Sequence, residues 1–172
     1  LFPYTTLFRS ISLGGFYTRF SNFIGTYNTG KLVNTDGLES QADSTLSEAR
    51  IYGAAALFKG VEAQAKFRVY ERLGELDLNL RADYVRATNE DTGTPLPRIA
   101  PMRMGVGFDY QFSQFSSNID FLHGFKQDRV DVNERPTDGY TLMNATASYR
   151  FKTDFRLEAF VKARNLLDQD IR

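Results

Sequence analysis

The decapeptide VEAQAKFRVY, residues 61–70, places Val61, Ala63, Ala65, Phe67 and Val69 at alternate positions, with Glu62, Gln64, Lys66 and Arg68 between them. A repeat of two residues is the period of a strand whose side chains point by turns to opposite faces, and no helical spacing of three or four fits it. One face is apolar and the other charged. What each face meets decides the fold.

The same alternation spreads outward along the chain. Residues 76–84 set Leu76, Leu78, Leu80, Ala82 and Tyr84 against Asp77, Asn79, Arg81 and Asp83. Residues 102–112 set Met102, Met104, Val106, Phe108, Tyr110 and Phe112 against Arg103, Gly105, Gly107, Asp109 and Gln111. Segment 115–125 follows with Phe115, Ile119, Phe121 and Phe125 against Ser116, Asn118, Asp120 and Gly124, Ser117 and Leu122 being out of phase. Segments 143–151 and 155–164 repeat the pattern, and an earlier one at 16–24 sets Phe16, Phe20 and Ile24 against Tyr17, Arg19 and Ser21. The strand holding 61–70 has its outer limit between Leu46 and Ile51; residues 50–58 are either its extension or a short strand of their own. Seven strands are predicted.

The connections between them differ in length by turns. Residues 71–75, 113–114 and 152–154 are tight, whereas 28–47, 89–101 and 128–139 are long and rich in Gly, Pro, Asn, Asp and Thr. Transmembrane barrels put short turns on one rim and long loops on the other, with strands of about ten residues. Glu62, Lys66, Arg68, Asp77, Arg81, Asp83, Arg103, Asp109, Arg150, Arg156, Glu158 and Lys162 would then face a hydrated lumen. Turned to lipid, an Arg or Lys near the midplane would cost roughly 2–4 kcal/mol. A water-soluble antiparallel sheet with one solvated face also alternates. Loop sorting, and the rings of Phe112, Phe115, Tyr149, Phe151 and Phe155 near strand ends, favour the membrane. Backbone groups in a bilayer must all be paired, so seven strands are read as part of a larger closed wall.

Composition excludes more than it names. Lys and Arg number 21, Asp and Glu 21, with pI near 6.8, so no basic stripe speaks for nucleic acid. There is no Cys, hence no disulfide or thiolate site, and the apolar runs are far too short for a spanning helix despite 15 Phe and 9 Tyr. No HExxH, phosphate-binding glycine loop or supported Ser/His/Asp set occurs, so no catalytic residue, cofactor or metal site is expected. Glu90 and Asp91 are read as solvated loop acids. His123, on the apolar parity near the long-loop rim, is read as an interfacial residue, with a metal role beside Asp128 or Asp131 as the rarer alternative. Asp131, Glu134, Arg135 and Asp138 are the loop residues expected to face an entering ligand.

Residues 1–10, LFPYTTLFRS, resemble the in-frame translation of a common sequencing adapter, and the domain is expected over 11–172. Three stretches resemble TonB-dependent outer-membrane receptors: FKGVEAQAKF at 58–67, LPRIAPMRMGVGFDY at 96–110 and TDGYTLMNATASYRF at 137–151. A fourth, FVKARNLLDQDIR at 160–172, carries a motif similar to the NLFDxxY of that family. It stands here as Asn165, Leu166, Leu167, Asp168, Gln169, Asp170 and Ile171, with Leu and Ile where Phe and Tyr are usual. The wording at 126–135 and 137–149 is most similar to a zinc-uptake-like branch.

The resemblance implies an all-β, antiparallel, up-and-down transmembrane barrel of about 22 strands filled by a plug. This chain would supply about seven of those strands and lack both the plug and the last one. It implies an outer-membrane receptor that imports a scarce ligand, such as a metal ion or metal–siderophore chelate. Energy would come from a TonB complex bound through an N-terminal region, and lipid and lipopolysaccharide would surround the wall. A passive porin or an outer-membrane enzyme barrel are the competing readings.

Overall fold

The computed structural model describes residues 8–37, 45–132 and 134–170. Seven strands are present among them: β1 (Phe8–Val33), β2 (Leu46–Tyr70), β3 (Glu75–Asn89), β4 (Arg103–Phe112), β5 (Phe115–Gly124), β6 (Tyr140–Phe151) and β7 (Leu157–Ala163). They form one sheet in sequence order, every neighbouring pair antiparallel. This is the expected all-β, up-and-down wall.

Register explains why the alternation matters. Phe67, Leu78, Phe108, Ile119, Ala145 and Ala163 are successive cross-strand partners from β2 to β7. One residue along, Lys66, Asn79, Gly107, Asp120 and Asn144 form the neighbouring row from β2 to β6. Partners directly opposite share a face, so apolar and polar rows are continuous across the sheet. Below the long loops the apolar face carries no covering layer among the described residues: Leu13 is 78% and Val161 68% exposed. The buried apolar side chains are few, namely Val33, Ala54, Ala56, Ala87 and Leu96. An uncovered apolar face of this extent marks a surface that meets something other than water. Such a face fits the expected barrel wall, whose apolar side would meet hydrocarbon.

The tight turns 71–74, 113–114 and 152–156 lie on one rim and 34–45, 90–102 and 125–139 on the other. Gly74 adopts φ 92°, and a Cβ there would lie 2.6 Å from the Gln111 carbonyl oxygen, so the turn after β2 requires glycine. On this rim Phe112, Phe115 and Tyr149 are register partners, with Phe151 stacked edge-on against Tyr149 at 5.0 Å. The Tyr110 hydroxyl donates to the Leu73 carbonyl at 2.6 Å.

Two expectations are corrected. The first strand is not confined to 16–24 but runs Phe8–Val33, so the connection 28–47 shrinks to 34–45, while β2 begins at Leu46, within the limits expected for it. Of that loop, 38–44 lie outside the described residues. The assigned faces of β1 also change: Phe16 pairs with Gly60 and Phe20 with Ala56, on the face of Glu62 and Lys66, while Ile24, opposite Gly53, points outward. The cause is a β-bulge between Phe20 and Phe23, whose extra residue shifts the phase.

Candidate functional site

The inner face below the long loops is a ladder of charge. Lys66 reaches Asp77 at 3.2 Å and Asp109 at 3.3 Å. Asp109 also accepts from Asn79 and Asn118, each at 2.7 Å. Arg68, only 4% exposed, pairs with Asp77 and, at 2.7 Å, with Glu75. Further up, Arg81 crosses glycine-bearing β4 to reach Asp120 at 2.6 Å, and Arg103 holds Asp83 at 3.1 Å. A hollow of about 350 Å³ lies over this ladder, lined by Lys66, Asp77, Asp109, Asn118 and Thr146 among others. The ladder can hold water and polar partners. No group of three or more His, Asp or Glu side chains suited to a metal ion occurs among the described residues.

At the long-loop rim the inner face becomes apolar. Ala54, Ala56, Ala87 and Leu96 are buried together, with Phe23, Phe58 and Ile99 packed against them. The rings of Phe20, Phe23 and Phe58 meet at 5.1–5.6 Å. Loop 90–102 is folded back to supply Leu96. Asn89 accepts from the N–H groups of Asp91 and Thr92, Asp91 accepts from the Ala55 N–H at 2.9 Å, and the Leu96 N–H donates to the Ala87 carbonyl at 3.2 Å. Glu90 is held by Arg19, with its closest contact at 2.7 Å. This bond and the neighbouring carboxylate raise the Arg19 pKa. Glu90 and Asp91 are therefore tethers, not free acids.

Loop 125–139 is tied to the same structure. Gln127 Nε2 donates to the Ile99 carbonyl at 3.1 Å, and Arg129 donates to the Ala87 carbonyl at 2.9 Å and to Thr88 Oγ1 at 2.8 Å. Burial lowers the Arg129 pKa, and the charge of Arg86 lowers it further. Of the four loop residues singled out as ligand-facing, Glu134 joins the two loops: its carboxylate accepts from the N–H of Arg98 at 3.0 Å and of Asp131 at 3.3 Å. Asp131 is buried, whereas Arg135 and Asp138 are exposed. Asn133 lies outside the described residues.

Sequence reasoning missed Gln127, Arg129 and Asn89. Only Asn89 gave a signal, since Asn-Glu-Asp-Thr-Gly has the composition of a side-chain-capped turn. His123 sits at the rim with Nδ1 2.9 Å from Thr141 Oγ1 and its ring edge-on to Phe125 at 4.7 Å.

The terminal motif closes on itself. Asn165, at φ 50°, exchanges hydrogen bonds with Gln169: its Nδ2 donates to the Gln169 carbonyl at 3.0 Å and its Oδ1 accepts the Gln169 N–H at 3.0 Å. The Asp168 N–H donates to the Asn165 carbonyl at 2.9 Å and the Leu166 N–H to the Met143 carbonyl at 2.8 Å. Asn165, Leu166 and Asp168 thus turn the chain off the edge of β6. Ile171, the motif's last residue, lies outside the described residues.

A family model described as "TonB dependent receptor-like, beta-barrel" matches residues 4–166. Among solved structures the chain is similar to that of "Copper transporter OprC", with 17% identity and a TM-score of 0.74 over 94% of this chain. The match spans 23% of that longer chain, and at this identity the likeness is one of fold.

Proposed function

Since the chain belongs to the TonB-dependent receptor-like β-barrel family, we propose that it forms part of the wall of an outer-membrane receptor importing a metal ion or metal chelate. The observation that carries this reading is the two-faced sheet within the family match over 4–166: an uncovered apolar face and, behind it, a ladder of buried and half-buried charge. Such an inner face suits a hydrated lumen and a polar plug. Energy would be drawn from TonB through a region outside this chain, and outer-membrane lipid and lipopolysaccharide would contact the apolar face. Zinc and copper are the cargoes to test first, zinc from the wording at 126–135 and 137–149, copper from the transporter whose fold this chain shares.

The test is uptake in cells that lack the complete gene carrying this segment, with the content of each metal measured under its limitation. The expected result is loss of one metal or its chelate, reproduced by removing TonB. A loss spread over many small solutes and indifferent to TonB would make the protein a porin.

Residues 1–10 are proposed to derive from an adapter. Phe8–Ser10 do continue β1, and Arg9 lies 3.8 Å from Asp77, but pairing at a sheet edge is open to any extended segment. Re-reading the source DNA across this junction decides it; genomic sequence encoding residues 1–10 would end the proposal.

A further inference from the structure

The outward face changes character where the apolar belt ends. Along β2 it runs Ala65, Ala63, Val61 and then Lys59; along β3 it runs Leu80, Ala82, Tyr84 and then Arg86. Lys59 and Arg86 are direct cross-strand partners, both exposed, and neither forms an ion pair among the described residues. Tyr17 is the partner of Lys59 on the other side, so Tyr17 and Tyr84 border the two cations. A third cation, Arg129, is fixed beside them by hydrogen bonds to the Ala87 carbonyl and Thr88 Oγ1 of β3, and feels the charge of Arg86. Arg19 is nearby on this face but is committed to Glu90. Like charges placed directly opposite one another on a sheet repel. Here no carboxylate among the described residues pairs with either.

The level of this row identifies its counter-charge. Tyrosine rings mark the boundary between hydrocarbon and headgroups, and two residues along a strand advance the chain by about 7 Å. Lys59 and Arg86 therefore stand one step beyond the hydrocarbon, on the face turned away from the lumen, where a solute entering the barrel mouth does not pass. We propose that Lys59 and Arg86, backed by Arg129, bind the phosphate groups of a phosphorylated lipid in the outer leaflet. The guanidinium of Arg86 presents paired N–H donors to phosphate oxygens, and Lys59 adds a point charge. The inference rests on the membrane reading above and assigns to particular residues a lipid contact that reading leaves general.

The experiment uses the complete receptor carrying this segment, folded in phosphatidylcholine vesicles doped with bisphosphorylated lipid A or its dephosphorylated form. Lipid retained after extraction is counted by native mass spectrometry. The expected result is retention of the bisphosphorylated lipid, falling roughly tenfold or more when its phosphates are removed or in the K59Q/R86Q variant. K59R/R86K should keep most of the retention, and K152Q/R156Q, which removes two charges at the opposite rim, should change nothing. Equal retention by wild type and a folded K59Q/R86Q variant overturns the proposal. So does displacement by inorganic phosphate at concentrations equal to the lipid, which would make the site one for a free anion. A receptor that retains the lipid but imports no metal overturns only the cargo reading.

Discussion

Glu134 shows how a loop acid can look like a ligand contact and serve the scaffold instead. Its two oxygens accept N–H groups from Arg98 and Asp131, so it joins loop 90–102 to loop 125–139. Glu134→Ala is expected to loosen both loops by roughly 1 kcal/mol, the scale of a half-exposed charged hydrogen bond. Hydrogen exchange should then rise at 90–102 and 125–139 while β4 and β5 stay protected; unchanged exchange with lost uptake would return Glu134 to the ligand. Arg135→Ala and Asp138→Ala, both exposed, should leave exchange alone. A second residue, Glu48 near the end of the β1–β2 hairpin, accepts from Thr29 Oγ1 at 2.7 Å and from Arg50 Nε at 2.8 Å. The Thr29 bond, then the Arg50 bond, lower its pKa below the usual 4.5. A depressed carboxylate stabilises the folded form above its unfolded pKa, and that contribution is lost as pH falls through the folded value. Exchange at the hairpin end should therefore quicken below about pH 4.5 and become less sensitive to acid in Thr29→Val; a pH-independent hairpin would contradict this. Charge and position made Glu134 and Glu90 visible in the sequence, though not Glu48. Their partners were not, because Arg98 is 36 residues from Glu134 and Arg19 is 71 from Glu90, with no periodic pattern to link them.

At the scale of the element, β3, β4 and β6 were legible because alternation runs unbroken through the stretches that set their reading, and β2 and β5 because it runs far enough to outweigh a register shift after Arg68 and the out-of-phase Ser117 and Leu122. β1 was not. Its bulge between Phe20 and Phe23 shifts the phase, and above the belt the preference of the faces is exchanged, with Phe16, Phe20 and Phe58 inside and Lys59 and Arg86 outside. A rule that equates apolar with outward then assigns Phe16 and Phe20 to the wrong side. The inner apolar cluster at the rim could be reached only through register, since Leu96 joins it from a loop. The faces themselves can be tested on β6, where Ala145 lies in the outward row with Ile119 and Ala163, and Thr146 lies in the inward row with Asn118 and Lys162. Ala145→Lys should weaken equilibrium folding into vesicles by roughly 2–4 kcal/mol, the cost of a cation facing the bilayer core. Thr146→Lys should cost well under half of that, chiefly through repulsion from Lys162. Equal costs in a urea titration of the complete barrel would mean that neither face meets lipid.

At the scale of the molecule the sheet is open, because its order ends at β1 and β7 and these two do not pair. Each end presents a row of backbone N–H and C=O groups. In hydrocarbon, where water cannot satisfy them, each unpaired group costs several kcal/mol. β1 alone is 26 residues long, so its free edge carries far more unmet hydrogen-bonding capacity than the 7-residue β7. The 172-residue chain by itself is therefore expected to associate edge to edge in detergent, with β1 as the main contact, and to melt without a sharp transition. Sedimentation should show species that grow with protein concentration. Supplying the rest of the barrel should convert them to a single closed form that resists heat in detergent. Proline at alternate positions of β1 whose N–H groups face the open edge should reduce association without disturbing β2 pairing, since those groups have no partner within the sheet. A monomeric, cooperatively melting seven-stranded chain would show instead that the edges satisfy each other, and the sheet would then be a small closed barrel in its own right.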